Sequence, residues 1–379
     1  MLATALGRSV RIDRIEPIVD YPEAQHCIYR AFLAPDGGLP PTIILKVPQL
    51  PGDWLHLERA ALEFLREREG TADLVPRIYG CAEDASILAM EDLGVESCLV
   101  GRILGEADRD RAERALHEMQ RSLARLHGAT LGAAAATRFA AIRSAYPPTP
   151  PTRHKIHRID EVLRDLPERF AEIGCAVTPG MEREIAAARA ELAEPREFLA
   201  FTHGDGTPAN SMWVERPPDG RIVFIDFETA GFRHALLDGT FPCIRYLHSV
   251  WARTLPRELR RALQRTYRSE LARFCPAVED DLRYRSAIAA ASAGWLAGLL
   301  AFLPRVADED VSWGRSTIRQ RILAGLDHLT ELAHEHDMLV LLREACLSSG
   351  AILRAQWPDC SEMEPYESLV AVPGLHIEG

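Results

Sequence analysis

The sequence predicts an α+β chain of two unequal lobes: a small antiparallel β-sheet with one helix, then a large, mainly helical part interrupted by a β-hairpin. Three observations predict it. The first ninety residues alternate short apolar or β-branched runs with turn residues and hold one helical stretch. From residue 108 onward the apolar positions recur at helical spacing. Residues 198–227 then break that spacing with three short strand-like runs.

Residues 11–19 and 28–33 read as strands, with a turn at Asp36-Gly37-Gly38. Residues 42–47 (TIILKV) form a β-branched run that stops at Pro48. Asp53 is placed to cap a helix through residue 68, with Leu55, Ala61, Leu62 and Leu65 as its apolar stripe. Two more strands are expected at 75–79 and 86–90, followed by the connector Glu91-Asp92-Leu93-Gly94. Beyond it, helices are expected at 108–127, 159–170 and 181–192, with a Pro-rich loop at 146–151. The β island takes in 198–202, 211–215 and 221–227, the last two joined through Pro217-Pro218-Asp219-Gly220. From 238 to about 355 the pattern is helical throughout. Residues 1–90 therefore read as the β lobe, 91–95 as a connector and 96–379 as the helical lobe, which holds the active loop at 198–238.

With 44 basic and 55 acidic residues the net charge is −11, which argues against a general nucleic-acid or anionic-membrane binder. Eight scattered cysteines without a CxxC, and no signal-peptide pattern at the N-terminus, point to reduced thiols in a cytoplasmic protein. The uncharged run at 286–303 is rich in Ala and Gly and closed by Pro304; it reads as a buried helix. Lysine occurs only at Lys46 and Lys155, and asparagine only at Asn210. So strong a bias makes those positions informative.

The island contains His203-Gly204-Asp205-Gly206-Thr207-Pro208-Ala209-Asn210 and, one hairpin later, Ile225-Asp226-Phe227-Glu228. Each polar group stands where an apolar strand starts or stops, so folding the hairpin brings Asn210 and Asp226 together with Asp205 beside them. An amide oxygen and a carboxylate are hard donors suited to Mg²⁺, and a separate carboxylate can accept a hydroxyl proton. Phosphoryl transfer asks for little more than this positioning and charge neutralisation. Lys46, at the end of its strand, supplies an ammonium for phosphate oxygens. Glu58 is the helix carboxylate to hold it, because Leu62 and Leu65 turn that face inward, while Glu63 points to solvent.

The HGDxxxxN loop, the IDF strand end, the LKV strand and Glu58 resemble the aminoglycoside phosphotransferase and choline kinase-like group of the protein-kinase-like fold. The resemblance implies a bilobal kinase fold using ATP and Mg²⁺ to phosphorylate a hydroxyl of a small molecule. It implies Asp205 as catalytic base, Asn210 and Asp226 as Mg²⁺ ligands, and Lys46 with Glu58 as the phosphate-positioning pair. It also implies a hinge at Met90-Glu91-Asp92-Leu93, where the backbones of Glu91 and Leu93 meet adenine. Asp238, His203 and His127 take architectural places.

The expected phosphate loop, Tyr21 to Cys27, has no glycine, so Gln25 and His26 are its candidate phosphate contacts. Glu228 stands where protein kinases have glycine. A protein-kinase activation segment does not fit the twelve residues from Asp226 to Asp238, which favours a small-molecule acceptor. Aminoglycosides, choline or ethanolamine, and sugars are the acceptor classes, and a catalytically weak nucleotide-binding scaffold is the rival from another class. The acidic clusters at 279–281 and 308–310 with Glu362 and Glu364 read as solvated helix ends. Trp251, Trp295, Trp313 and Trp357 read as core, and the Arg-rich stretch 257–268 as an exposed face.

Overall fold

The computed structural model describes residues 9–19, 26–35, 40–48, 54–82, 87–147, 159–215 and 220–370. β1 (Ile12–Val19), β2 (His26–Leu33), β3 (Thr42–Pro48), helix α1 (Trp54–Arg66), β4 (Ile78–Cys81) and β5 (Leu88–Glu91) come first. The strands form one antiparallel sheet in the order β1-β2-β3-β5-β4. Side chains alternate along β3. Ile43 and Leu45 join Ala31, Leu33 and Ala89 in a small cluster on one face. Ile44 packs instead into the main core with Leu55, Leu62 and Leu65 of α1. Lys46 shares the Ile44 face and looks toward α1.

The helical part follows as β6 (Cys98–Leu99), α2 (Val100–Ile103), α3 (Arg109–Ala129), α4 (Ala133–Arg143), α5 (Ile159–Arg164), α6 (Leu166–Ile173) and α7 (Pro179–Ala193). The island is β7 (Leu199–Thr202), β8 (Ser211–Val214), β9 (Arg221–Phe224) and β10 (Gly231–His234). β6, β8 and β9 form one sheet, while β10 pairs with β7. After α8 (Leu236–Gly239) come α9 (Arg257–Leu271), α10 (Asp281–Leu300), the short strands β11 (Ser312–Trp313) and β12 (Ser316–Thr317), α11 (Ile318–His336) and α12 (Val340–Gln356). The predicted α+β layout of two lobes is therefore present, and one continuous apolar core runs from α1 through the helices.

Several expectations need correction. The single helix expected at 159–170 breaks at Asp165 into α5 and α6, because Pro167 has no N–H and sits in the first turn of the second piece, where a missing donor costs nothing. Helix α4 was not foreseen; of its residues only Ala135 and Phe139 are buried, too few to register as a stripe. The expected strand at 221–227 stops at Phe224, and β10 was missed because four residues are too short for a pattern. β4 lies three residues later at its start than expected. The stretch from 240 to 256 is turn rather than helix, with Arg245 and Tyr246 both at positive φ (55° and 51°). The turn at Asp36-Gly37-Gly38, the Asp53 cap, most of the Pro-rich loop and the turn at Pro217-Pro218-Asp219 lie outside the described residues.

The apolar run of α10 is long enough to cross a membrane, and it is buried from Ala287 to Leu300 among neighbouring helices. Gly294 lets it lie against α5 and α7, since a Cβ there would sit 3.0 Å from Ile159. All eight cysteines are free thiols.

Candidate active site

Lys46 stands at the meeting of the two lobes. Its ammonium donates to Glu58 Oε2 at 2.6 Å and also contacts Asp226 Oδ1 from the helical part. Lys46 is 4% exposed and Glu58 1%. Glu58 faces inward because Leu55, Leu62 and Leu65, three back and four and seven on, bind that side of α1 to the core. Burial alone pulls an ammonium pKa down; here the charges of Asp226, Glu58 and Glu228 win, and Lys46 is held well above its ordinary value.

The loop between β7 and β8 is closed by its own bonds. Thr207 N–H donates to Asp205 O at 2.8 Å, and Asn210 N–H to Thr207 O at 2.9 Å. The Asn210 amide nitrogen donates to Asp205 O (3.0 Å) and Asp205 Oδ2 (2.8 Å). That commitment of the nitrogen orients the amide oxygen as the group left for a cation. Burial, with the nearby charge of Asp226, pushes the Asp205 carboxyl well above the usual carboxylate range, against the pull of Asn210.

Asp226 is delivered by a backbone turn that the sequence did not reveal. Ile225 N–H is held by Asn210 O at 3.0 Å, and Ile225 O by His203 Nε2 at 2.9 Å. With both groups of Ile225 fixed, the chain turns at Asp226, whose φ is 68°. A non-glycine residue there costs roughly 1 kcal/mol or more, and the turn aims its carboxylate at Lys46. Asp205 N–H donates to His203 Nδ1 at 3.3 Å, so this ring carries its proton on Nε2. His203 thus ties the Asp205 loop to the strand end before Asp226, an architectural role; burial lowers its pKa and keeps it neutral.

Asp238 supports the loop from beneath. Its carboxylate accepts from His203 N–H at 2.6 Å and from Gly204 N–H at 3.2 Å. Gly204 is required here: its φ is +83°, and a Cβ would meet Thr229 O at 2.7 Å. His127 Nε2 lies 3.5 Å from Asp238 Oδ2.

At the connector, Glu91 ends β5 and gives its N–H to Arg77 O at 2.7 Å, while Leu93 O accepts from Ser97 Oγ at 2.6 Å. Sequence reasoning missed what stiffens this segment: Asp92 pairs with Arg30 of β2 at 2.6 Å and accepts from Gly94 N–H at 3.0 Å. The opposite charges at 30 and 92 were the available signal. Glu63 also differs from expectation. It accepts from Tyr146 Oη at 2.5 Å and pairs with Arg59 at 2.9 Å, so it anchors α1 to the end of α4 rather than facing solvent. Gln25 and the side chain of His26 lie outside the described residues.

The donor set fits a hard divalent cation. Lys46 brings one positive charge to a neighbourhood where Glu58, Asp226 and Glu228 all act on it, and Asp205 feels Asp226 and Glu228 in turn. This excess of negative charge calls for a cation. Among the described residues no group of three or more His, Cys, Asp or Glu converges as a metal site, so a cation here must count the Asn210 amide and ligand oxygens among its donors.

The acidic clusters of the helical part serve local ends. Asp280 caps α10 through Arg283 N–H, Asp281 pairs with Arg268, and Asp310 accepts from Val311 and Arg319 N–H. Trp295 is buried and donates to Leu237 O at 2.7 Å. Trp251, Trp313 and Trp357 each carry a guanidinium over the ring, from Arg315, Arg321 and Arg319. The Arg-rich helix α9 is laced to its neighbours, with Arg257 and Arg261 on Glu335 and Arg260 on Glu331.

Residues 30–278 match the phosphotransferase enzyme family (APH). The fold is similar to that of a choline/ethanolamine kinase family protein from Mesorhizobium loti, at 17% identity over 87% of this chain and 92% of that one, TM-score 0.48. A Plasmodium vivax ethanolamine kinase is similar at 13% identity over 90% and 85%, TM-score 0.48. A macrolide 2'-phosphotransferase from Brachybacterium faecium is similar at 16% identity over 81% and 92%, TM-score 0.42. Comparison with curated proteins finds no match.

Proposed function

The chain belongs to the phosphotransferase enzyme family and is a small-molecule kinase; we propose that it transfers the γ-phosphoryl group of ATP to a hydroxyl, with Mg²⁺. The observation that carries this reading is the Lys46 ammonium shared between Glu58 and Asp226, with the bonded pair Asp205–Asn210 alongside. Lys46 meets α- and β-phosphate oxygens, and Glu58 keeps it in place. Asn210 and Asp226 hold the Mg²⁺, which when bound neutralises charge on the phosphate oxygens. Because the Glu91 N–H is spent on Arg77, adenine is met by the Glu91 carbonyl and the Leu93 N–H.

Asp205 orients the acceptor hydroxyl and takes its proton as the acceptor oxygen bonds to the γ-phosphorus and ADP leaves. The acceptor is sought among aminoglycosides, macrolides, choline, ethanolamine, other amino alcohols and sugars. The test is nucleotide consumption over such a panel with wild type and Asp205→Ala. Turnover with one acceptor class that disappears in the variant is the expected result. Equal turnover in the variant would overturn the assignment of Asp205.

A further inference from the structure

A buried chain of side chains reaches the Asp205 loop from helix α9. Tyr267 Oη lies 2.7 Å from His127 Nδ1, and Tyr267, His127 and Asp238 are all fully buried. Asp238 accepts the N–H groups of His203 and Gly204, which lead directly into Asp205. His127 Nε2 faces the Asp238 carboxylate from 3.5 Å, too far for a strong hydrogen bond, so that contact by itself does not fix which ring nitrogen carries hydrogen. The Tyr267 hydroxyl settles it: Nδ1 at 2.7 Å is a nearer acceptor than Ala235 O at 3.5 Å, and donation to Nδ1 leaves the ring hydrogen on Nε2, facing a carboxylate that can only accept.

A second observation shows the same fit. Tyr267 lies against the turn that carries Asp238: a Cβ on Gly239 would fall 2.6 Å from its ring. Glycine at 239 is thus what allows the phenol to reach His127. A ring nitrogen is generally fixed by the bond its partner nitrogen makes, and such outer partners orient the groups that do the chemistry.

We propose that Tyr267 is a positioning residue for phosphoryl transfer: it sets the His127 tautomer, His127 completes the Asp238 carboxylate, and Asp238 holds the backbone that aims Asp205. The inference rests on the phosphotransferase reading for its effect on rate, but its structural half does not.

The test is Tyr267→Phe, which keeps the ring over Gly239 and removes only the hydroxyl. The ring nitrogens of His127 are followed by ¹⁵N NMR, alongside kcat, the KM for ATP and the melting temperature. Wild type should show His127 as a single Nε2–H tautomer. The variant should show mixed tautomers, with kcat lowered roughly tenfold and the KM for ATP unchanged. Gly239→Ala, which pushes the intact phenol away, should produce the same signature. An unchanged tautomer in the folded variants overturns the proposal, and so does an altered tautomer with kcat within twofold of wild type. If wild type phosphorylates nothing in the panel, the functional reading fails, whereas the tautomer shift still reports on the Tyr267–His127 link.

Discussion

Two buried cations show how differently one chain can treat a charge away from water. Arg321 is wholly buried and is met by neutral groups: its Nη1 donates to Leu247 O at 2.6 Å and Ser249 O at 2.7 Å, its Nη2 to Trp313 O, and the Trp313 ring lies 4.1 Å away. Burial lowers its pKa to about 9, against a smaller opposing pull from Tyr366. Lys46 sits instead among more carboxylates than it can neutralise and is held firmly charged. Arg321 is a staple that ties residues 247–249 to β11, its charge solvated by carbonyl dipoles inside the fold. The Lys46 neighbourhood gathers more carboxylates than it has cations, a surplus that raises the Asp205 carboxyl and that a bound cation would relieve. A buried cation solvated by carbonyls serves the fold; carboxylates gathered around one cation mark a place for a ligand.

The largest effect that would sharpen this contrast is on rate. Asp205→Ala should lower kcat by about 10²- to 10⁴-fold while Mg-ATP still raises the melting temperature. Loss of that thermal shift would mean that Asp205 binds nucleotide, and its separate role would fall. Asp226→Asn should come next, raising the Mg²⁺ concentration for half-maximal activity about tenfold or more, because a charged donor becomes a neutral one. A superimposable Mg²⁺ titration would remove Asp226 from the ligand set.

The opposite behaviour is expected at the staple. Arg321→Met leaves three carbonyls without their donor, so the unfolding free energy measured in urea should fall by about 3 kcal/mol, with the KM for ATP unchanged. Lost activity at full stability would break the contrast outright.

The smallest effect is a pH dependence. His328 is buried, and that burial, with the charges of Arg260 and Arg245, holds its pKa well below the usual imidazole value. Its folded-state pKa lies below the unfolded value of about 6.5, so the unfolded chain takes up the proton first. Stability should be level above that pH and fall beneath it, by at most about 1.4 kcal/mol per pH unit from this group. His328→Gln should flatten the slope between pH 6.5 and 5.5, and an identical slope would assign it to other histidines such as His203 and His234, which burial also lowers.

How much could be read in advance depended on how local the signal was. β3 and α1 were legible because a β-branched apolar run closed by a proline and an apolar stripe over thirteen residues are repeated statements of one choice. Those two elements also placed Lys46 opposite Glu58. Helix α4 hid because its alanines face both core and water, and the 240–256 segment hid because its apolar residues are buried without being helical. Glu63 was misjudged for a related reason: its partner Tyr146 lies 83 residues on.

The chain's order alone settled which chemical groups it brings: a lone asparagine beside an aspartate, an acid at a strand end, and a strand-end lysine before a helix with an inward carboxylate. Such facts need only neighbours within a turn or a strand, where geometry is dictated by the backbone. Folding decided the rest. The left-handed turn at Asp226, its contact with Lys46 180 residues away, and the reach of Tyr267 to His127 exist only once distant segments have been packed together. A linear pattern does not encode these, because the cost of closing such loops is met by the whole core rather than by any segment of it.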